Sequence, residues 1–546
     1  MTTQKDDLEL PLGKRTPFYR FFEIVPGALS YGMLLTLLIL SIFDPFIASI
    51  FILLLIITMV FKAAGIAYHS YIGYKRLQRA QRVDWSARLN DLEYPEAAKQ
   101  RLSRQQLQFS DEKVHYDNIQ QLLATPDSYP KPSELFHLIV MPAYNEPYEV
   151  IEPTVEAILS GSADSKKMIM VFAYEERGGA DIKQTAKRLQ KKYQKQFYAF
   201  MTVEHPANLP GEVIGKGANI TYAAKHAEQW VAGQSIDFSK VIVTTLDCDN
   251  KPHQSYFDYV AYEFIVHQDR KHLSYQPIAL YFSNIWDAPA PMRVIATGNS
   301  FWTVVSSMRQ HQLRNFAAHS QPMDALSEMG YWSTRSIVED GHQYWRSYFF
   351  FKGNYSVVPI HVPVYQDAVM TGSLKGTLVA QFKQLRRWAY GASDVPFVAE
   401  RVFTSKRTSP FWPGVARFMR LIDSHVTLAT IAIVVAIGGW IPLIINPDAA
   451  HQIVVHNLPA TIGQIQQWAM IGIFVTVFLT LKMLPPRPKR YRRTRTLGMV
   501  VQWVLLPFTS IGYSAVSALN AQTHLMFGKY LDKFDVTEKA EVKDTA

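Results

Sequence analysis

The stretch VIVTTLDCDNKPH, residues 241–253, opens as a β-branched run and ends in two carboxylates, Asp247 and Asp249. Side chains on an extended chain alternate faces, so the two acids are expected on one side and Cys248 on the other. Two carboxylates so close repel unless a cation sits between them. Taken alone, the stretch reads equally as a metal site or as a capped strand end, with Asp249-Asn250 opening a turn before Pro252.

Upstream, the same pattern repeats. SELFHLIVMPAYNEP (133–147), SKKMIMVFAYEERGG (165–179) and FYAFMTVEHP (197–206) read as strands, and helical patterns follow the second, through Lys192, and open at GKGANITYAAKHAEQW (215–230). Strands alternating with helices predict an α/β domain with a mostly parallel sheet covered on both faces. In such sheets ligands bind beyond the carboxyl ends of the strands. Asn145-Glu146, Glu175-Glu176 and Asp247/Asp249 all fall at such ends, which favours a binding site over a single capped turn.

The chain has 546 residues, 48% hydrophobic, with a formal charge of +10 and one cysteine. Dense apolar blocks occupy 28–42, 45–65, 425–446, 467–484 and 497–519, each near the ~20 residues that cross a bilayer. The first two, split by Asp44-Pro45, predict a helical hairpin rather than a cleaved signal peptide. The polar stretch of about 70–410 must face water. Lys14–Arg20, Lys75–Arg82 and Arg487–Arg495 flank the blocks, which puts these regions and the large domain in the cytoplasm, at the plasma (cell inner) membrane. Basic charge clustered at membrane edges points to anionic lipid, not nucleic acid. A single cysteine excludes an internal disulfide.

Three later stretches carry polar groups in patterns that have ordinary readings when taken singly. TRSIVEDGHQYW (334–345) places Glu339 and Asp340 at a helix start, where acids commonly serve the helix dipole. VAQFKQLRRWAYGASD (379–394) carries Gln384, Arg387 and Trp388 at helical spacing, as an interfacial anchor would. KFDVTEKAE (533–541) follows the fifth block.

Together with PAYNE (142–146) and the D-x-D of LDCDN, the elements VED (338–340), Q-x-x-R-W (384–388) and FDVTEK (534–539) occur in one order. This set resembles the membrane-bound family 2 glycosyltransferases, the cellulose, chitin and hyaluronan synthases, over about residues 15–540. The resemblance implies a GT-A-type (Rossmann-like) cytoplasmic domain between transmembrane and interfacial helices. It implies inverting transfer of a sugar from a nucleoside-diphosphate donor, UDP-linked by preference, to a growing polysaccharide, with product translocation.

By the same resemblance Asp247 and Asp249 hold Mg²⁺ or Mn²⁺ against the diphosphate, and Asp340 is the catalytic base. Glu339 and Trp388 meet the acceptor. Tyr144, Glu146, Glu175, Lys216, Asp247, Gln384, Arg387, Thr537 and Lys539 meet the donor. The chain departs from the family at Val338, where Thr is common, at Glu175-Glu176, where either residue could reach the nucleobase, and at GKGAN, whose small residues are exchanged around Lys216.

The expected organisation is a cytoplasmic or interfacial segment 1–27, a transmembrane hairpin 28–66, amphipathic linker helices 70–130 and a catalytic domain 131–395. An interfacial helix 396–420, spans 421–446 and 466–484, an interfacial or re-entrant helix 497–527 and a gating-loop-like tail 528–546 complete it. The 497–519 block is expected not to cross, because an odd number of spans would separate FDVTEK from the nucleotide. Expected partners are the nucleotide sugar, a polysaccharide or lipid-linked acceptor and membrane lipid. Transfer of one sugar to a lipid, a nucleotide-binding membrane transporter and a nucleotidyltransferase are the alternatives.

Overall fold

The computed structural model describes residues 8–104 and 111–531. The chain divides into two compact units, the first made of Met1–Leu10, Arg76–Leu280 and Arg309–Gln366 and the second of the remainder.

The first unit is α/β, as expected. Its strands are β1 (Phe136–Ala143), β2 (Met168–Glu175), β3 (Ala199–His205), β4 (Val241–Thr245), β5 (Lys251–Pro252), β6 (Leu273–Leu280), β7 (Ser320–Pro322) and β8 (Ser356–Tyr365). They form one sheet in the order β3-β2-β1-β4-β7-β6-β8-β5. The β1–β2, β2–β3, β1–β4 and β6–β8 pairs are parallel, while β7 runs antiparallel between β4 and β6 and β5 antiparallel to β8.

The uninterrupted apolar run of β1 reflects burial on both faces. Ile139, Met141 and Ala143 pack into one core with helices Tyr148–Leu159, Gly179–Tyr193 and Tyr256–Val266. Leu138 and Val140 face a second core with helices Lys216–Gly233 and Met323–Met329.

The amphipathic helices expected as linkers are part of this unit's core. Trp85, Leu92, Ala98, Leu102, Ile119 and Leu122 are buried in the first cluster, and the Trp85 ring stacks on Tyr259 at 3.6 Å. Their apolar faces were legible, but the helix they cover is distant in sequence.

Among the described residues five helices are long and apolar enough to cross a membrane: Pro17–Phe43, Pro45–Ala80, Phe411–Ile445, Ile453–Met483 and Thr494–Met526. Helix Pro17–Phe43 starts eleven residues ahead of the expected block, so the boundary drawn at 27/28 falls inside a helix. Its start is set by Thr16, whose side chain accepts from the Tyr19 N–H at 3.2 Å, and by Pro17 in the first turn. Asp44 ends it and caps the next helix, accepting from the Ile47 N–H at 3.1 Å. Leu37, Ile52, Ile56, Val434, Leu458 and Ile462 bind the hairpin to Phe411–Ile445 and Ile453–Met483.

The second unit also takes in residues 281–308 and 367–395, which the expected catalytic span had included. Helix Phe411–Ile437 absorbs the second half of the expected interfacial helix 396–420.

Thr494–Met526 is irregular. A 3₁₀ turn (Gln502–Leu505), a four-residue helix carrying Pro507 and a π-helical segment (Ser510–Ala515) separate its helical ends. Gln502 accepts from the buried Arg293 at 2.5 Å, Ser517 Oγ donates to the Phe382 carbonyl at 3.5 Å and Gln522 to the His425 carbonyl at 2.9 Å.

Candidate active site

The strand β4 stops at Thr245, two residues before the first acid. The Asn250 N–H then closes a turn on the Asp247 carbonyl at 2.9 Å. Asp247 and Asp249 therefore stand on a turn past the strand end, and alternation along an extended chain does not govern them. This corrects the expected geometry: the turn signal of Asp249-Asn250 is real and coexists with the acidic pair. Asp249 is buried, whereas the Asp247 side chain is 35% exposed. The buried Asn250 amide links them, donating to Asp249 Oδ1 at 3.3 Å and accepting from the Asp247 N–H at 3.1 Å.

The cation beside Asp247 is Lys216, at the first turn of helix Lys216–Gly233. Its Nζ lies 2.7 Å from Asp247 Oδ1 and 3.6 Å from Glu339 Oε1. Burial works against its charge, yet Asp247, Glu339 and Asp340 outweigh it and hold its pKa above the usual lysine range. The residues around Lys216 explain GKGAN. A Cβ on Gly217 would come within 2.3 Å of the Ser333 carbonyl and 2.9 Å of Glu339 Cβ, so only glycine lets the three segments meet. The buried Asn219 donates to the carbonyls of Ala173 at 3.1 Å and Ala143 at 3.5 Å, tying the ends of β2 and β1.

Glu339 is buried at the start of helix Glu339–Phe350, and Asp340 beside it is half-buried, accepting from the Gly341 N–H at 2.7 Å. His319, which no local pattern marks, backs this region. Its Nδ1 donates to the Phe316 carbonyl at 2.8 Å, and its Nε2 accepts from Trp332 at 3.0 Å. Burial pushes it down to about 4, against the pull of the Phe316 carbonyl and Asp340, so the ring is neutral.

A second cluster occupies the ends of β2 and β3. Glu175 is buried and accepts from Arg177 Nε at 3.1 Å and from His205 Nδ1 at 3.3 Å. His205 Nε2 meets Glu212 at 3.0 Å. Burial opposes the charge on His205, but hydrogen bonds to Glu175 and Glu212 push its pKa up to about 9. Glu176 instead accepts from the Ala207 N–H at 2.8 Å. Tyr144 and Glu146 form a local turn, with Glu146 accepting from the Tyr144 N–H at 2.7 Å. A Cβ on Gly178 would lie 1.8 Å from the Tyr144 carbonyl.

Lys216, Asp247, Glu339 and Asp340 thus share one electrostatic site, while Glu175 belongs to the His205 cluster and Glu146 to its own turn. Gln384, Arg387 and Trp388 lie in the second unit on helix Leu374–Ala389, at the i, i+3 and i+4 positions of one face. Gln384 accepts from Gln381 at 3.1 Å, and the Trp388 ring lies 5.9 Å from that of Tyr281. Thr537 and Lys539 lie outside the described residues.

Among the described residues no group of three or more His, Cys, Asp or Glu could hold a metal ion. Two carboxylates beyond a strand end fit a different arrangement, in which Mg²⁺ or Mn²⁺ completes its oxygen shell from a phosphate ligand and water.

No family model matches the chain, and no curated protein matches it. Among solved structures, it is similar to a mannosyltransferase from Pyrobaculum calidifontis in complex with GDP-Man and Mn²⁺, with 15% identity, TM-score 0.39 and coverage of 73% of this chain and 97% of that one. It is similar to TarS 1–349 from S. aureus, with 9% identity, TM-score 0.31 and coverage of 73% and 93%. It is also similar to a glucosyl-3-phosphoglycerate synthase from Mycobacterium tuberculosis in complex with Mn²⁺, UDP and phosphoglyceric acid, with 14% identity, TM-score 0.28 and coverage of 48% and 79%.

Proposed function

We propose that the protein is an inverting membrane glycosyltransferase that moves a sugar from a nucleoside-diphosphate donor to a growing polysaccharide. The observation that carries this reading is the meeting of D-x-D, GKGAN and VED at one site. Lys216 touches Asp247 and Glu339, and Asp340 acts on the same lysine.

Asp247 and Asp249 would hold Mg²⁺ or Mn²⁺, which when bound neutralises charge growing on the diphosphate leaving group. Lys216 supplies a fixed positive charge beside Asp247, preorganised for the same phosphate oxygens. Asp340 removes the proton from the acceptor hydroxyl as it attacks the anomeric carbon. Buried Glu339 keeps Lys216 charged, and the family resemblance assigns it to the acceptor. With Asp340 as the base, the acceptor hydroxyl displaces the nucleoside diphosphate in one step, which inverts the anomeric carbon. The motif on helix Leu374–Ala389 assigns Arg387, with Gln384, to the diphosphate, which a planar guanidinium binds bidentately, and Trp388 to the acceptor sugar.

Four spans fit the second unit. Helices Pro17–Phe43 and Pro45–Ala80 cross and return, as do Phe411–Ile445 and Ile453–Met483. The basic run 487–495 then lies on the side where Pro17–Phe43 starts, which the basic flanks make cytoplasmic. Arg20, in the first turn of that helix, donates to the Leu525 and Met526 carbonyls, and so holds the far end of Thr494–Met526 on the same side. With both ends on one side, that segment lies at the interface or dips in and returns.

Purified protein incubated with labelled UDP- and GDP-sugars and Mn²⁺ tests the activity. Transfer to a polymer, lost with EDTA or in Asp249→Asn while the melting temperature stays unchanged, is expected. Full transfer in metal-free buffer would overturn the metal role.

A further inference from the structure

Residues 8–10 are built into the first unit. Leu8 is buried, and the Glu9 carboxylate accepts from Ser333 Oγ at 2.6 Å and from the Arg346 guanidinium. Arg346 Nη1 also reaches the Leu8 carbonyl at 3.4 Å, and Arg335 Nη1 the Leu10 carbonyl at 3.4 Å.

Arg346 lies on helix Glu339–Phe350 and is 1% exposed. A guanidinium cannot shed its proton, so at that depth its charge needs a carboxylate. Among the described residues Glu9 is the only carboxylate paired with it. The other face of the fork, Nη2, donates to the Met329 carbonyl at 3.2 Å and the Tyr331 carbonyl at 3.1 Å. These carbonyls flank a strained turn. Tyr331 has φ +70°, a left-handed conformation that a bulky residue seldom adopts, directly after Gly330 at φ +79°.

From that turn the chain runs through Trp332 and Ser333 to Glu339 and Asp340. Along the way Trp332 accepts from Thr221 Oγ1 at 2.9 Å and donates to His319, and the Ser333 carbonyl closes on Gly217.

We propose that Glu9 is a positioning residue for Asp340. By neutralising Arg346 and anchoring Ser333, the N-terminal segment holds the 329–338 turn in its strained path, which sets Glu339 and Asp340 against Lys216. The kinetic part of this inference rests on the glycosyl-transfer reading; the structural part does not.

The test uses the full chain. Glu9→Gln keeps an acceptor for Ser333 but removes the charge, Glu9→Asp keeps the charge, and Arg346→Met removes what needs neutralising. Glu9→Gln is expected to lower kcat by on the order of 10²-fold while the donor KM stays within about twofold, and Glu9→Asp to recover much of the loss. Added to Arg346→Met, it is expected to cost nothing further. Amide hydrogen exchange over 329–342 is expected to quicken in Glu9→Gln while the strands keep their protection.

Unchanged kcat and exchange in Glu9→Gln would overturn the proposal, as would an equal loss on top of Arg346→Met. If Arg346→Met does not fold, Glu9→Gln decides alone. If the wild-type chain transfers no sugar, the glycosyl-transfer reading fails while exchange still decides the clamp: faster exchange over 329–342 supports it and unchanged exchange overturns it.

Discussion

Replacing Lys216 by Met removes the cation on which the acids of the site converge. Its contact with Asp247 is the shorter, at 2.7 Å, but Asp247 is 35% exposed and solvent screens that pair. The contact with Glu339 at 3.6 Å involves a carboxylate 3% exposed and governs the cost. At an effective dielectric of ~20 a pair at that distance attracts by about 5 kcal/mol, part of it offset by the desolvation of both ions. Breaking one partner of a buried pair costs about 3–5 kcal/mol, and the lower end applies because Lys216 keeps 10% exposure. For a domain of this size that is a fall of roughly 6–12 °C in melting temperature, measured in detergent by scanning fluorimetry. Lys216→Arg, which keeps the charge, is expected to recover most of it. A Lys216→Met protein melting within about 2 °C of wild type would refute the premise that Glu339 is buried and charged beside Lys216.

Other outcomes follow from the same geometry. Asp340→Asn is expected to lower kcat by roughly 10²–10⁴-fold with the donor KM nearly unchanged, and Arg387→Ala to raise the donor KM first; steady-state kinetics with varied donor separates them. His205, with its pKa raised to about 9, stabilises the fold fully below pH 6.5, and the contribution is lost as pH rises through about 9. The melting difference between wild type and His205→Gln should therefore shrink between pH 7 and 10; a constant difference would contradict the His205–Glu175 pairing. A cysteine at Ala546, in a chain with Cys248 replaced, is expected to resist an impermeant thiol reagent in intact cells, and ready labelling would contradict four spans.

The sheet was legible because β1, β2 and β4 are buried on both faces and so read as short continuous apolar runs, each ending in polar residues. The acids at 247 and 249 were legible as chemistry but not as geometry. The rule of alternating faces needs extended backbone, and the chain turns after Thr245. Lys216 could be noticed in GKGAN, but its grip on Asp247 and Glu339 joins three segments that no local pattern connects.

His319 and Arg346 gave no signal, since a buried polar residue among aromatics looks like any core position until its partners are known. The first apolar block reads as beginning at residue 28, yet the helix starts at Pro17 and runs through Pro26 and Gly27. Gly27 is there for close packing: a Cβ would meet Met526 Sδ at 2.9 Å.

The proposed reaction is a single displacement at the anomeric carbon, with Asp340 as the base and no covalent intermediate. Proton NMR of the first sugar transferred from an α-linked nucleotide donor reads this directly. A β-linked product is expected. An α-linked product would contradict single displacement.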